Sequence, residues 1–265
     1  MANLKHLLPV ASEAIRIGTQ IVHNRAPGTV TSKGDRDMVS EVDYAVEDAL
    51  QQFLSTETPE IGFLGEENGA TYASTSELRW VLDPVDGTAN FVRGLPLTAI
   101  SLGLISGDES ILGVVGMPFL DLHYAAAKGH GALRNDTRIH VSGTTALQDA
   151  IVAIGDYAVG PRAEERNQPR LQLTEQLATH VQRVRMFGSA AIDLAWVAEG
   201  RLDGSLMLAN KPWDTSAGAA IAREAGAVVV DAEGVPHTAQ SAATIAVTPG
   251  LGPPLLDLLN TTVRG

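Results

Sequence analysis

The stretch that most restricts the fold is residues 80–91, Trp-Val-Leu-Asp-Pro-Val-Asp-Gly-Thr-Ala-Asn-Phe. A short apolar run, which reads as a strand, ends in Asp83 and Asp86 with Pro84 and Val85 between them. Pro84 removes a main-chain donor and fixes φ, and Gly87 permits backbone angles closed to other residues, so the strand is expected to turn here. The two carboxylates then sit at a strand end rather than along a helix face. Thr88 and Asn90 read as the opening of the next helix, whose free N–H groups can hold an anion. Two hard oxygen ligands beside an anion-binding turn point to a divalent cation gripping a phosphate.

The rest of the chain indicates where that strand end lies. Its 265 residues suffice for one large domain or two closely packed halves, and 45% apolar content supports a sizeable core. Apolar and small residues recur at helical spacing over 4–22, and 24–34 reads as a mobile loop. A helix is expected over 44–55, and the strand 61–67 also ends in acids, Glu66 and Glu67. Strands at 80–82, 98–105, 111–117 and 123–127 suggest an antiparallel-rich sheet flanked by helices. The second half alternates strand 151–154, helix 169–182, strand 183–187, helix 188–199, strand 206–208, helix 215–225 and strand 228–231, the rhythm of an α/β layer. The join at 141–149 is a soft boundary, so 1–145 and 146–265 are expected to be halves of one compact unit.

Charge narrows the function. The formal net charge of −12 argues against nucleic-acid binding, which needs a basic footprint. It would also repel an anionic substrate unless metal ions invert the local field. Without cysteine there are no disulfides, thiolate metal sites or cysteine nucleophiles. No apolar run approaches the ~20 residues of a membrane span, and residues 1–9 lack a signal-peptide core, so a cytoplasmic protein with no membrane partner is the default expectation.

Asp43, Glu66, the Asp83/Asp86 pair and Asp214 each follow an apolar run or open a small-residue helix. Each has an ordinary alternative. Asp43 and Asp214 could cap helices, Glu66 could be a solvated loop acid, and Asp83 could stabilise the turn through an Asx hydrogen bond. Together they are harder to explain so, because neighbouring unpaired carboxylates repel unless a proton or metal intervenes. Mg2+ prefers oxygen ligands, and no histidine lies beside these acids to favour a softer metal.

Three segments, Gly65-Glu66-Glu67, Asp83-Pro84-Val85-Asp86-Gly87-Thr88-Ala89-Asn90-Phe91 and Trp213-Asp214-x-x-Ala217-Gly218, resemble the signature segments of the inositol monophosphatase family in order and spacing. Residues 37–43, Gly188-Ser189-Ala190 and Glu224-Ala225-Gly226 match as well, and the similarity runs from about residue 5 to 260. The resemblance implies a layered α-β-α-β-α sandwich and a Mg2+-dependent, lithium-sensitive phosphomonoesterase with two to three Mg2+ per subunit, commonly a homodimer. Glu66, Asp83 and the Val85 carbonyl would hold one ion, Asp83, Asp86 and Asp214 a second, and Glu66 with Asp43 a third through waters. Thr88 and Glu66 would orient the attacking water, and the Gly87 and Thr88 N–H groups would hold phosphate oxygens. Asp86 would lie near the alcohol half of the substrate, which Ser189 and Ala190 line. Lys33 stands where the family has a basic residue near the metals, either approaching substrate or serving as a surface charge.

One position departs from the pattern. Family members preferring inositol phosphates usually carry a glutamate at the place of Met207, and a thioether is no useful acceptor for a ring hydroxyl. A small phosphorylated metabolite is the expected partner. Inositol 1-phosphate leads, with histidinol phosphate, fructose 1,6-bisphosphate and 3′-phosphoadenosine phosphate as alternatives of the same chemistry. A non-catalytic metal-binding interaction protein is the alternative of another class.

Overall fold

The computed structural model describes residues 4–34, 37–72 and 76–263; the first three residues of the stretch read for a leader lie outside it. The chain opens with helix α1 (Leu4–Asn24), the paired strands β1 (Val30–Gly34) and β2 (Asp37–Ser40), and helix α2 (Glu41–Glu57). Strands β3 (Gly62–Gly65), β4 (Gly69–Tyr72) and β5 (Leu78–Asp86) lead into the short helix α3 (Thr88–Val92). Strands β6 (Ala99–Ser106), β7 (Glu109–Met117), β8 (Leu122–Ala127), β9 (Ala132–Arg134) and β10 (Thr137–Ile139) follow. Then come β11 (Ile151–Ile154), α4 (Ala163–His180), β12 (Arg183–Arg185) and α5 (Ala190–Ala198). The chain continues through β13 (Gly204–Met207), α6 (Pro212–Glu224), β14 (Val228–Val230), β15 (Thr244–Val247) and α7 (Gly252–Val263).

The larger sheet has the order β10-β9-β8-β7-β6-β5-β3-β4, and its β3–β5 pair is parallel. The smaller sheet has the order β12-β11-β13-β15-β14. Helices α1 and α2 cover one face of the larger sheet, where Ile15, Val46 and Leu50 pack against Phe63, Trp80 and Leu102. Helices α5 and α6 fill the space between the sheets, with Leu194 and Ile221 touching the same core as Val115, Tyr124 and Ala246. Helices α4 and α7 close the outer face of the smaller sheet through Leu173, Leu177 and Leu255. The layers therefore run α-β-α-β-α, as the resemblance implied, and each buries the apolar face of its neighbours.

Glycine decides how closely the middle layer approaches. Gly103 and Gly113 face each other across β6 and β7. A Cβ on Gly113 would lie 2.1 Å from the Ala217 carbonyl oxygen, and one on Gly103 would lie 2.9 Å from the Ala217 nitrogen. Helix α6 thus rests directly on the sheet backbone, while Gly218 lets Leu194 of α5 close in from the side, 2.6 Å from where a Cβ would stand. Helix α6, whose first turn carries Asp214, is fixed against β6 and β7 by these contacts.

Several segments differ from their sequence reading. Residues 30–34 form a strand rather than loop, because they find partners in β2, a pairing no local pattern announces. Helix α4 begins at Ala163, not at Pro169, which lies inside it. A proline forfeits one main-chain bond, and burial of Leu173 and Leu177 against the smaller sheet holds the helix regardless. Helix α6 begins at Pro212 in the first helical position, where proline's missing N–H costs nothing. Strands β4, β9, β10 and β15 and helix α7 lacked a distinct sequence signal, and all four strands are only three or four residues long.

Candidate active site

The site is built on an irregularity in β5. This strand continues through Pro84 to Asp86 instead of ending at Leu82, and it pairs with β6 so that Asp83 faces Ser101 and Asp86 faces Ala99. Three residues of β5 thus match two of β6, a bulge, which is where a proline can sit inside a sheet. On a regular strand, side chains three apart point to opposite faces. The extra residue brings Asp83 and Asp86 opposite positions that share a face, so both carboxylates emerge on the same side. The Val85 N–H donates to Asp83 Oδ1 at 3.1 Å, the Asx bond expected of the turn.

Three other elements deliver the remaining acids. Gly65 of β3 is in parallel register with Leu82, which sets Glu66 beside Asp83. Asp214 lies in the first turn of α6, where its Oδ2 accepts from the Lys211 N–H at 2.6 Å and leaves Oδ1 for other use. Asp43, in the first turn of α2, accepts from the Ser40 N–H at 2.9 Å, and its other oxygen lies 3.4 Å from the Thr88 hydroxyl. Thr88 Oγ1 also donates to the Val85 carbonyl at 3.0 Å. Asp43 and Asp214 thus cap their helices and also feel the charge of Glu66.

Burial, reinforced by mutual repulsion, shifts the acidities of the cluster upward. Burial, then the charges of Glu66, Asp86 and Asp214, push Asp83 well above the ordinary carboxylate range. Burial raises Asp86 to about 6, although Ser189 and the Ala190 and Ala191 N–H groups hold its charged form. Burial and the charges of Asp86 and Glu66 raise Asp214 to about 7 against the opposing Lys211 N–H bond. Among the described residues no three of these groups converge tightly enough to grip one ion as they stand. Instead Lys33 Nζ bridges Glu66 at 2.9 Å and Glu67 at 2.8 Å, drawing Glu66 toward a cation of the protein's own. The donor set nevertheless fits hard divalent ions: it is all oxygen, Asp43, Asp83 and Asp86 are buried with Glu66 and Asp214 partly so, and its members destabilise one another unless positive charge is added.

Around this cluster the turns are tied down. Gly87, with φ of +89°, opens α3, and a Cβ there would lie 2.9 Å from the Leu97 carbonyl oxygen. Asn90 Nδ2 donates to the Leu97 and Phe187 carbonyls at 2.8 and 2.7 Å, joining α3 to the loop before α5. Ser189 donates to Asp86 Oδ2 at 2.7 Å, and the Ala191 N–H donates to the same oxygen at 2.6 Å. Ser189 is therefore committed to Asp86, although with Ala190 it also lines the adjoining cavity. Arg93 stays exposed.

One positioning residue has no counterpart in the sequence reading, and a second, Asn210, which the sequence offers with Lys211 as a substrate contact, is tied instead to the protein's own groups. Glu47 of α2 is fully buried, and its carboxylate accepts from the Glu67 and Asn68 N–H groups at 2.9 and 2.8 Å, pinning the turn that carries Glu66. The signal was an acid four residues after Asp43, among Val46 and Leu50 on the helix's apolar face. Asn210 is the second. Its Nδ2 donates to the Ser241 carbonyl at 3.0 Å, and Thr244 Oγ1 donates to its Oδ1 at 3.0 Å. That uses Thr244's single proton, so His237 Nε2, 2.8 Å away, is the donor to Thr244. Burial lowers His237 to about 4, which agrees with a neutral ring.

The comparisons extend over nearly the whole chain. Residues 3–263 match the family model described as the inositol monophosphatase family. The chain is similar to the fructose-1,6-bisphosphatase/inositol-1-monophosphatase of Aquifex aeolicus, 38% identical over 232 residues and 86% of each protein. It is 40% identical over 205 residues to the inositol-1-monophosphatase of Mesorhizobium japonicum, covering 77% of this chain and 76% of that one. The crystal structure of extragenic suppressor protein suhB from Bartonella henselae superposes with a TM-score of 0.89 at 32% identity, over 96% of this chain and 98% of that one.

Proposed function

The chain belongs to the inositol monophosphatase family and is a phosphoric monoester hydrolase; on that premise we propose that it hydrolyses the phosphate ester of a small alcohol with divalent ions held by Glu66, Asp83, Asp86, Asp214 and the Val85 carbonyl. The observation that supports this reading is the β5 bulge, which turns Asp83 and Asp86 to one face beside Glu66. Bound ions, Mg2+ by the chemistry of the oxygen donors, would offset the carboxylate charge, stabilise charge on the phosphoryl oxygens and acidify water. Two to three ions per subunit, with lithium competing against Mg2+, form part of the same reading, Asp43 serving the third.

The chain's own groups act around that centre. Thr88, whose hydroxyl reaches toward the Val85 carbonyl and Asp43, and Glu66 orient the attacking water. The Gly87 and Thr88 N–H groups receive phosphate oxygens at the start of α3. Asp86, held by Ser189 and the first turn of α5, faces the alcohol half of the substrate. Lys33 pairs with Glu66 and Glu67 and is released toward substrate phosphate when positive charge enters the cluster.

Phosphate release with Mg2+ tests the reading across inositol 1-phosphate, histidinol phosphate, fructose 1,6-bisphosphate, 3′-phosphoadenosine phosphate and glycerol phosphate. At least one of the first four is expected to exceed glycerol phosphate by about tenfold or more in kcat/KM. Failure to hydrolyse any of them would refute the proposed chemistry.

A further inference from the structure

Asp214 joins the cluster at the end of a connection, residues 208–211, that runs from β13 to α6 without regular structure. Its carboxylate depends on that connection, because Oδ2 accepts from the Lys211 N–H and Oδ1 is left for an ion. The Asn210 amide, one residue before Lys211, is what ties the connection down. The Ser241 carbonyl can only accept, so the amide nitrogen must face it, and Oδ1 then faces Thr244. Thr244 gives its one proton to Oδ1, and its oxygen accepts in turn from His237 Nε2–H. A single directed chain, His237 to Thr244 to Asn210 to Ser241, thus fixes the stretch leading to Asp214.

The segment that carries His237 is itself anchored. The His237 N–H donates to the Val229 carbonyl at 3.2 Å, and the Ala239 N–H donates to the Asp108 carbonyl at 2.8 Å. Arg223, in the last turn of α6, donates to the His237 carbonyl. Ala239 packs with Val81 and Ile105 of the larger sheet and with Trp213, the residue before Asp214. The segment therefore meets the approach to Asp214 twice, at Asn210 by hydrogen bonds and at Trp213 by packing.

The sheet does not ask for this polarity. Strand β15 pairs with β13 through the main chain, Thr244 opposite Met207, whatever side chain stands at 244. Thr244 is fully buried and His237 nearly so, and His237 Nδ1 has no hydrogen-bond partner among the described residues. The chain of donors carries a desolvation cost that an apolar pair would avoid. What it accomplishes in return is to hold Asn210.

We propose that His237 and Thr244 are positioning residues for the reaction: through Asn210 they hold the Lys211 N–H against Asp214 and keep its free oxygen in the ion-binding cluster. This rests on the phosphatase reading above and extends it to residues remote from the carboxylates.

The test uses Thr244→Val, which keeps the shape and removes the hydroxyl, Thr244→Ser, which keeps the hydroxyl, and His237→Leu. Thr248→Val is the control, since that hydroxyl, bonded to the Ser142 carbonyl, lies outside the chain of donors. Calorimetry with Mg2+ alone reads ion affinity, NMR reads amide exchange of Lys211 and Asp214 in metal-free protein, and phosphate release reads kcat/KM. Thr244→Val and His237→Leu are each expected to weaken Mg2+ binding, speed both amides and lower kcat/KM by about fivefold or more. Raising Mg2+ should restore most of the lost kcat/KM, which a general loosening of the fold would not produce. Thr244→Ser should stay within about twofold of the wild type throughout, and the double variant should lose no more than the worse single one. Thr248→Val should lower the melting temperature and leave ion affinity and exchange unchanged. Should Thr244→Val or His237→Leu fail to fold, Asn210→Ala, at a half-buried position, interrupts the same chain and carries the same expectation. A lower melting temperature with unchanged Mg2+ affinity and amide exchange overturns the proposal, as does a loss in Thr244→Ser equal to that in Thr244→Val. If the wild type neither binds Mg2+ nor hydrolyses any ester, the phosphatase reading fails instead, and the exchange arm still decides whether His237 and Thr244 hold the turn of Asp214.

Discussion

Asp83→Asn is expected to lower kcat/KM for any hydrolysed ester by at least about 10³-fold, a large loss because the change removes charge from the middle of the proposed ion-binding set. The same substitution should raise the melting temperature of the metal-free protein. Asp83 is 3% exposed and lies among the charges of Glu66, Asp86 and Asp214, so its ionised form is a burden on the fold unless cations offset it. Asparagine keeps the shape and the Oδ1 that accepts from the Val85 N–H, so the turn survives. Each kcal/mol of relieved repulsion is worth about 2–4 °C in a domain of this size. Lost activity together with gained stability is a combination that a purely structural Asx role for Asp83 does not produce. Thermal melts and initial rates on the same preparation read both.

The second large effect is in how stability responds to pH and Mg2+. Asp86 sits at about 6 and Asp214 at about 7 in the folded chain, with Asp83 raised as well, against about 3.9 for an unfolded aspartate. Between those values the folded protein retains protons that the unfolded chain has released, so stability falls as pH rises from about 4 to about 7. The metal-free protein should therefore melt at a lower temperature near neutral pH than the remainder of its charges would dictate. Millimolar Mg2+ should raise the melting temperature by about 5 °C or more at about pH 7.5, and by less than half of that near pH 5, where protons already occupy the cluster. In Asp83→Asn the Mg2+-dependent rise should shrink at both values. A Mg2+ effect that was equal at the two pH values would show that the ion binds elsewhere.

Much of the site was visible in the sequence because its chemistry sits in short contiguous segments. Asp83, Asp86 and Gly87 stand within five residues, and Pro84 and Gly87 advertise a backbone that cannot run on regularly. What local pattern could not show is the register. Whether Asp83 and Asp86 share a face depends on the bulge against β6, and a bulge is a property of two strands together. The same holds for β1, which takes its shape from β2, and for the three-residue strands β9 and β10 at the sheet margin. Helices with a strong apolar stripe, such as α1, were read within two residues of their ends, whereas α4 was misplaced because its proline outweighed the two leucines that anchor it.

The positioning residues explain the rest of the gap. Glu47 and Asn210 act through partners distant in sequence: the turn after β3 in the first case, Ser241 and Thr244 in the second. A buried acid on an apolar helix face is a sign of such a partner but does not name it. Glycine is similar. Gly103 and Gly113 look like weak points in two strands, and only the packing of α6 on them shows that they set the height of Asp214 above the sheet. Lys33 was read as near the cluster, and its pairing with both Glu66 and Glu67 adds the reason: the chain supplies one positive charge of its own to a site built from acids.

The most direct test of the central claim is release of phosphate from the best-hydrolysed ester of the substrate panel by protein stripped of metal, before and after Mg2+ is restored. The account predicts no release above background from the stripped protein, recovery on adding Mg2+, and no recovery in Asp83→Asn. Undiminished hydrolysis by the stripped protein, or full recovery in Asp83→Asn, would contradict it.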